Sequence, residues 1–417
     1  MSKPQCVIVG AGHAAAELCA SLRRLEWSGD ITLIGDEPHL PYHRPPLSKT
    51  MLDPGAEAAT PLIRSANFYA SKGITTLTST SVEGINRKAK TVQIGSRHLS
   101  YDVLVQCTGS VHCLPPIAGT NNPGVYTLRT AVDAAAIREC ARPGATAVII
   151  GAGFIGLEVA ASLRKQDIKV TVLELAPRVL ARTTPPELST FFELLHRQHG
   201  VHLQTGVAVC EICKTADGLM VMTRDSQSFP ADIVVLGTGA VANTALASQA
   251  GLAVDNGILV DSSNRSSDPA IYALGDCCTQ MHPIYQQRLR LESVQNAVDQ
   301  AKNAASAITG RPVPPAPVPW FWSDQYDIKY QIAGVSSGYD ELIIRGRVAL
   351  GQSFSAWHFH QGRLLAVDAI NDPTAFAVAG KLIAAGRSPA PAMICNSTIS
   401  LRTILTTTLE SPDARPR

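Results

Sequence analysis

An apolar run, a glycine-rich turn and a pattern of helical spacing follow one another in the same order at two places in the chain. Residues 7–9 and 148–150 are short apolar runs, as expected for buried strands of a parallel sheet. Each run leads into a glycine-rich turn, and each turn leads into a pattern with helical spacing, at residues 14–22 and 157–163. The sequence therefore predicts two strand–turn–helix units. We call residues 10–15 the first fingerprint and residues 151–156 the second fingerprint.

The spacing of small residues in each fingerprint matches a G-x-G-x-x-G/A pattern, which binds dinucleotides when it joins a strand to a helix. The first glycine makes the tight turn, and the second lets the backbone approach a pyrophosphate. The third small residue lets the helix pack closely on its strand, with the helix N-terminus facing the phosphate charge. These roles fall on Gly10, Gly12 and Ala15 in the first fingerprint and on Gly151, Gly153 and Gly156 in the second.

A carboxylate follows each fingerprint at the end of the next predicted strand. Asp36 closes the strand predicted at residues 31–35, 21 residues after Ala15, and Glu174 closes residues 170–173, 18 residues after Gly156. An acid at this position accepts hydrogen bonds from a ribose diol. One such motif alone also occurs in ordinary strand–helix turns. Two copies, each with strand, helix and acid, predict two dinucleotides that pass electrons between them.

Composition narrows the class of protein. At 417 residues, two or three domains are expected, and 45% hydrophobic residues suffice for sizeable cores. The net charge of +2 gives no case for nucleic acid or an acidic membrane as main partner. No basic-then-apolar leader is visible, and the longest uncharged stretch, residues 233–254, is interrupted by glycine and amide residues. We expect strand, loop and helix there, and a soluble, cytoplasmic protein.

The ten cysteines are scattered along the chain and do not form a disulfide framework. Cys210 and Cys213 have C-x-x-C spacing, but residues 207–212 have the apolar content of a strand. Positions three apart on a strand point to opposite faces, which argues against a redox pair or half of a metal site. No metal site is expected.

Proline and glycine divide the chain into segments. The proline-rich segment 38–47 is predicted as a loop, neither helix nor central strand. Strands are predicted at residues 103–107, 233–236 and 271–274, and a helix at about 292–308. Residues 311–319 are proline-rich and predicted as a linker, and the strand-rich remainder is expected to form a distinct domain.

Longer strings are more specific than the glycine motifs. With them the sequence resembles the FAD-dependent, NADH-using ferredoxin reductases of the putidaredoxin reductase and biphenyl-dioxygenase ferredoxin reductase type, which serve cytochrome P450s and Rieske-type oxygenases. The resemblance runs nearly from end to end. Its most specific strings are R-P-P-L-S-K at residues 44–49 and P-W-F-W-S-D-Q-Y-D at residues 319–327, and others are L-R-T at 128–130, S-D-P at 267–269 and G-D at 275–276.

The resemblance implies an α/β fold with two Rossmann-like, glutathione-reductase-like dinucleotide-binding domains and an α+β C-terminal domain. The implied boundaries are 1–112 with 245–316 for FAD, 113–244 for NAD, and 317–417 for the C-terminal domain. The implied cofactors are FAD and NAD, in a monomer or homodimer. By matched motif position, the implied FAD contacts are Ala15, Asp36, Arg44, Lys49, Val82, Arg129, Asp276 and Val294, with Trp320 near the isoalloxazine.

The resemblance also pairs Lys49 with Glu158 beside the flavin, where the two would act catalytically by holding the nicotinamide and tuning the flavin potential. The alternative is a purely structural ion pair. Arg44 and Arg129 suit a pyrophosphate or the negative charge of reduced flavin, whereas any single arginine is otherwise a solvated surface residue.

The sequence departs from the family pattern after Thr108 and Gly109, where an arginine is usual. This chain has Ser110-Val111-His112-Cys113 instead, so His112 or Cys113 either replaces that arginine or only packs. Relatives that reduce disulfides carry a cysteine pair where this chain has residues 45–49, which excludes that chemistry.

The implied activity is electron transfer from NADH through FAD to a [2Fe-2S] ferredoxin. The alternatives are a rubredoxin or nitrite-reductase partner, an NADH oxidase, or a flavoprotein like apoptosis-inducing factor, whose cofactor state controls binding. Chain position places one basic cluster closest to the expected flavin edge, and we expect it to dock an acidic ferredoxin: Arg288, Arg290 and Arg311.

Overall fold

The computed structural model describes residues 3–56 and 60–411. The chain divides into two compact units, each built from three stretches. The first unit comprises Met1–His43, Ala59–Val111 and Ala240–Pro319, and the second comprises Arg44–Ala58, His112–Gly239 and Trp320–Arg417. Residues 113–239 and 320–417, which we assigned to separate domains, share the second unit, and the three-domain boundaries stay a prediction.

The strands of the described part of the chain are numbered in chain order. They are β1 (Gln5–Val9), β2 (Asp30–Ile34), β3 (Ile74–Leu77), β4 (Gly84–Asn86), β5 (Thr91–Ile94), β6 (Arg97–Ser100), β7 (Val103–Gln106), β8 (Ser110–His112), β9 (Val125–Thr127), β10 (Thr146–Ile150), β11 (Lys169–Glu174), β12 (His202–Thr205), β13 (Val209–Thr215), β14 (Gly218–Thr223), β15 (Ser228–Ala231), β16 (Ile233–Leu236), β17 (Ala240–Ala242), β18 (Ile258–Val260), β19 (Ile271–Ala273), β20 (Cys278–His282), β21 (Gln287–Leu289), β22 (Trp320–Gln325), β23 (Ile328–Gly334), β24 (Glu341–Gly346), β25 (Phe354–His360) and β26 (Arg363–Ile370).

The helices of the same residues are numbered likewise. They are α1 (His13–Arg24), α2 (Ala66–Ser71), α3 (Ala131–Cys140), α4 (Phe154–Arg164), α5 (Pro186–Gln198), α6 (Ala245–Gln249), α7 (Val294–Ile308), α8 (Pro373–Ala384), α9 (Pro391–Cys395) and α10 (Leu401–Glu410). Short 3₁₀ turns occur at Pro45–Ser48, Thr50–Leu52 and Gly275–Cys277.

A five-stranded parallel sheet of order β19-β7-β1-β2-β3 forms the centre of the first unit. Its strands are apolar on both faces because both faces are covered. On one face, alanines and leucines of α1 pack with small residues of α7, including Ala301 and Ala304. On the other face, Val7, Val9 and Leu104 pack toward β4–β6 and β18. The first fingerprint lies where β1 ends.

The second unit repeats the plan with a parallel sheet of order β12-β11-β10-β16-β9. Helix α4 follows β10 directly, so the second fingerprint lies at the carboxyl end of that strand. The antiparallel sheet β13-β14-β15 covers part of one face, where Ile212 and Val221 join Val148 and Val234 in one apolar core.

Beyond residue 319, the second unit contains a five-stranded antiparallel sheet of order β22-β23-β26-β25-β24. The interior strands β25 and β26 are buried along nearly their whole length, and Trp357 is fully buried between its neighbours. The string P-W-F-W-S-D-Q-Y-D builds β22 and the two-residue turn to β23, so the motif occupies one edge of this sheet.

Most sequence-based elements are confirmed. Residues 233–254 form β16, β17 and α6, as strand, loop and helix were expected, and 311–319 lack regular structure. The proline-rich loop is corrected in one detail: a 3₁₀ turn begins at Pro45, because proline is compatible with the first turn of a helix. Among the described residues, no helix is both long and apolar enough to cross a membrane.

Candidate functional site

The first fingerprint makes a turn that only glycine fits. Gly10 has φ +103°, and a Cβ there would stand 2.2 Å from the carbonyl oxygen of Cys107. Gly12 precedes α1, and no described side chain caps that helix by a hydrogen bond or places an acid in its first turn. The start of α1 thus suits a phosphate, which the helix dipole also favours. Ala15 is fully buried against the sheet, as the close packing of helix and strand requires.

Asp36 lies beside this turn, after β2. Gly35 precedes Asp36, and a Cβ on Gly35 would stand 2.5 Å from the Cβ of Ala11. The backbone after β2 therefore approaches the turn of the first fingerprint closely. The carboxylate of Asp36 is exposed, which leaves it accessible to a ribose. The next acid, Glu37, instead accepts a hydrogen bond of 2.6 Å from the Tyr42 hydroxyl.

A second set of predicted FAD contacts meets the same edge of the first sheet. Asp276 lies on the 3₁₀ turn after β19, where the Ser110 hydroxyl donates to its Oδ2 at 3.2 Å. Gln300 of α7 fixes this turn by accepting the Gly275 amide at 2.7 Å. Val294 is the first residue of α7, and a Cβ on Gly275 would stand within 4 Å of both Ala297 and Ala14.

Val82 belongs to the same unit and lies between β3 and β4. Its half-buried side chain packs against the apolar core that contains Val9 and Ile34, the last residues of β1 and β2. The predicted FAD contacts of the first unit thus lie at one end of its parallel sheet: Gly10, Gly12, Ala15, Asp36, Val82, Asp276 and Val294.

The second fingerprint has the same geometry in the second unit. Gly151 has φ +107°, and a Cβ there would stand 2.5 Å from the carbonyl oxygen of Gly237. At Gly156, a Cβ would stand 2.1 Å from the carbonyl oxygen of Gly151. Gly153 differs, because no described protein atom lies within 4 Å of its Cβ position, and it begins α4 without a side-chain cap. That open space is where a pyrophosphate would approach.

Glu174 ends β11 and turns its carboxylate toward the fingerprint. It accepts backbone hydrogen bonds from Ala152 at 2.5 Å and Ala176 at 2.8 Å. These contacts fix the carboxylate at the edge of the phosphate turn. Leu175, the next residue, is 71% exposed, an unusual state for a leucine and one suited to an adenine ring.

The two arginines downstream of Glu174 have different environments. Arg178 makes hydrogen bonds of 2.6–2.8 Å to the Ser189 hydroxyl and to the carbonyl groups of Thr184 and Ala181. Three of its hydrogen bonds are thus made within the protein. Arg182 lies by the Gly237–Gly239 turn, with Nη2 3.6 Å from a Cβ position on Gly239.

Lys49 and Glu158 form the ion pair that the resemblance implies. Lys49 Nζ is 2.6 Å from Glu158 Oε2, and Glu158 is 3% exposed. Two hydroxyl groups complete the shell: Ser48 donates to Oε2 at 2.5 Å, and Ser323 donates to Oε1 at 2.6 Å. A carboxylate this deeply buried is stabilised only if its lone pairs are satisfied, and this one receives three donors.

The remaining predicted contacts also lie in the second unit. Arg44 Nη1 donates to the carbonyl oxygen of Arg129 at 2.7 Å, so the structure brings the two arginines together. The backbone amide of Arg129 in turn donates to Asp133, in the capping box of α3. Trp320 begins β22, where its half-buried ring contacts Trp322 and Phe376.

The members of the expected basic cluster lie at different ends of α7. Arg290 lies just before the N-terminus of α7, the end that packs near Asp276, and pairs with Glu292. Arg311 lies beyond the C-terminus of this fifteen-residue helix, about 22 Å along its axis, and pairs with Glu26 at the far end of α1. Arg290 and Arg311 therefore do not form one local cluster, and the role of each in docking a ferredoxin stays a prediction.

His112 and Cys113 lie in the segment where the family usually has an arginine. His112 ends β8, and burial lowers its pKa, which favours the neutral ring. Cys113 is exposed, while its backbone amide donates to the Gly239 carbonyl oxygen at 3.1 Å. Sequence reasoning missed Ser48, Ser110, Leu175 and Ser323. Both Ser48 and Ser323 stand inside the two most specific strings, which was the available signal.

Comparison with known proteins identifies the family. The family model of the pyridine nucleotide-disulphide oxidoreductases matches residues 4–301, and a reductase C-terminal model matches 320–405. Rhodocoxin reductase of Rhodococcus erythropolis is 41% identical over 95% of this chain and 93% of its own. Putidaredoxin reductase of Pseudomonas putida is 40% identical over 96% of each chain.

Solved structures agree. The crystal structure of the covalent putidaredoxin reductase–putidaredoxin complex matches with a TM-score of 0.95 and 38% identity, over 99% of this chain and 100% of that one. The two fingerprints, each with its acid, thus occur in a chain that is similar over nearly its whole length to ferredoxin reductases. The chain belongs to the pyridine nucleotide-disulphide oxidoreductase family and, within it, to the FAD-dependent ferredoxin reductases.

Proposed function

We propose that this protein takes electrons from NADH into a bound FAD and delivers them to a [2Fe-2S] ferredoxin that feeds a P450 or Rieske-type oxygenase. The observation that carries the proposal is the presence of two glycine fingerprints in one chain, one in each unit, each leading into a helix without a side-chain cap. A reductase that binds a single dinucleotide needs only one. Similarity to putidaredoxin reductase and rhodocoxin reductase supports the choice of a ferredoxin as acceptor.

The first unit is fitted to hold the FAD pyrophosphate and ribose. The start of α1 after Gly12 suits the phosphates, Asp36 suits the adenosine ribose, and Asp276 suits the ribityl chain by its motif position. When bound, FAD supplies the conversion of a two-electron hydride into single electrons. The protein contributes orientation and charge, so no dedicated general acid or base is required of its residues.

The second unit is fitted to hold NADH. The open space at Gly153 suits its pyrophosphate, and Glu174 suits a free ribose diol. We assign Lys49 and Glu158 to the reaction site, where the pair holds the nicotinamide and sets the charge beside the flavin. Arg44, Arg129 and Trp320 belong to the same proposed site by their motif positions.

We expect the enzyme to prefer NADH over NADPH by at least roughly tenfold in kcat/KM, because the Glu174 carboxylate repels a 2′-phosphate. Arg178 does not offset this repulsion, since its guanidinium is bonded to Ser189, Thr184 and Ala181. Glu174→Ala should narrow the ratio, as measured by steady-state kinetics with both cofactors. Glu187→Ala, which removes an exposed acid of the same unit, should leave it unchanged. Equal kcat/KM values in the unmodified enzyme would contradict the assignment.

The choice of acceptor is tested by NADH-driven reduction of cytochrome c with and without an added [2Fe-2S] ferredoxin. The proposal predicts slow reduction by the enzyme alone and a strong increase with ferredoxin, because the iron–sulfur protein relays the electrons. Rapid oxygen consumption that ferredoxin does not alter would favour an NADH oxidase. Stimulation by rubredoxin alone would make the acceptor a rubredoxin.

A further inference from the structure

A chain of polar groups extends from Glu158 through the interior of the second unit. Ser323 donates to Glu158 Oε1 at 2.6 Å, and Gln325 Nε2 donates to Ser323 Oγ at 3.2 Å. Gln325 Oε1 is 2.9 Å from Nε2 of His196, and His196 Nδ1 is 3.3 Å from the hydroxyl of Tyr326. The chain therefore connects the ion pair with the imidazole of α5.

The direction of every hydrogen bond follows from the charge at one end. A carboxylate only accepts, so Ser323 must donate its single proton to Glu158. The Ser323 oxygen is then free to accept from the amide of Gln325, whose carbonyl oxygen accepts in turn. His196 must therefore carry its proton on Nε2, and its Nδ1 accepts from Tyr326. Burial lowers the pKa of His196 to about 4, which keeps the ring neutral as this order requires.

Core stability alone does not account for this chain. Ser323 and His196 are fully buried and Gln325 is 1% exposed, so all three lose their hydration on folding. Apolar residues of similar volume would fill the same space without that loss. Tyr326 also adopts φ +56° in the turn between β22 and β23, a conformation uncommon for a bulky residue, and its ring stacks on His199 at 3.6 Å.

The chain is unsuited to carrying protons. Gln325 separates His196 from Ser323, and an amide that donates on nitrogen and accepts on oxygen does not pass a proton on without changing to its imidic acid form. What such a chain does is fix orientation, since each member has one compatible set of partners.

We propose that His196 is a positioning residue for the reaction site. Through Gln325 and Ser323 it holds Oε1 of Glu158, while Lys49 and Ser48 occupy Oε2. The carboxylate is then held on both oxygens, and the ammonium group of Lys49 keeps one position. This inference rests on the proposed role of the Lys49–Glu158 pair.

The test measures hydride transfer from NADH to flavin by rapid mixing of the FAD-loaded enzyme, over a range of NADH concentrations. Gln325→Leu and His196→Leu should each lower the limiting rate constant by about tenfold and change the Kd for NADH by less than about twofold. His196→Gln returns an N–H donor toward Gln325 and should recover most of the rate. Gln325→Glu keeps the acceptor for His196 but removes the donor to Ser323, so it should be as slow as Gln325→Leu.

Leu188→Ala is the matched control, because it removes a fully buried side chain of the same helix α5 without touching the polar chain. It should lower Tm and leave the limiting rate constant unchanged. A normal rate in folded Gln325→Leu and Gln325→Glu, or an equal loss in Leu188→Ala, would overturn the inference. If Glu158→Gln also reacts normally, the proposed role of the pair itself fails. If Glu158→Gln is slow while the Gln325 variants are normal, only the positioning role of His196 fails.

Discussion

Glu158→Gln and Lys49→Met are each expected to slow hydride transfer from NADH to the flavin by roughly 10- to 100-fold. Lys49→Met leaves the buried carboxylate of Glu158 without its cation, and Glu158→Gln leaves the half-buried ammonium of Lys49 without its anion, since Lys49 Nζ and Glu158 Oε2 are 2.6 Å apart. Rapid-mixing kinetics at saturating NADH measures the effect. In the double variant the rate should fall by less than the product of the two single losses, since both substitutions remove the same ion pair.

A surface pair of the same unit provides the control for that prediction. Arg197 and Glu193 are one helical turn apart on α5 and partly exposed, so Glu193→Gln should change neither the rate nor Tm noticeably. Additive effects of Lys49→Met and Glu158→Gln would show two unrelated contacts. That result would favour separate roles for the two residues rather than one functional pair.

Alanine should lower stability at one glycine of the second fingerprint and weaken NADH binding at another. At Gly156 a Cβ would stand 2.1 Å from the Gly151 carbonyl oxygen, so Gly156→Ala should destabilise the protein by about 2 kcal/mol or more. At Gly153 no described protein atom lies within 4 Å, so Gly153→Ala should cost no more than about 1 kcal/mol. The new methyl group should instead obstruct the pyrophosphate and raise the Kd for NADH at least roughly tenfold.

Two measurements separate these effects: Tm of the FAD-loaded protein and NADH binding under anaerobic conditions. Both variants should retain FAD, because the first fingerprint lies in the other unit. Unchanged NADH binding in folded Gly153→Ala would show that the pyrophosphate does not approach this turn. The second fingerprint would then need another ligand.

Local features of the site could be predicted from sequence because they depend on neighbouring residues. A buried strand, a glycine turn and a helix are written consecutively around Gly10 and Gly151, and the acids follow at the end of the next strand. The ends of parallel strands meet at one edge of a sheet, so Asp36 and Glu174 were also predictable. Pro45 was read only as a helix breaker, although proline also fits the first residue of a 3₁₀ turn.

Contacts between distant segments could not be predicted in the same way. Ser323 is 165 positions from Glu158 and His196 is 129 positions from Gln325, and no periodicity relates them. Ser48 and Ser323 lie inside motif strings, but the strings do not show which group each serine contacts. Nearness in the chain is an equally poor guide to a cluster, because the fifteen-residue helix α7 separates Arg290 from Arg311.

Anaerobic titration of the purified protein with NADH, followed by flavin absorbance, tests the central claim most directly. We expect a yellow protein with one non-covalent FAD per chain, released by acid precipitation and reduced completely by one equivalent of NADH. That result requires FAD at the first fingerprint and NADH at the second. Protein that retains no FAD when supplied with it, or bound FAD that NADH does not reduce, would contradict the account.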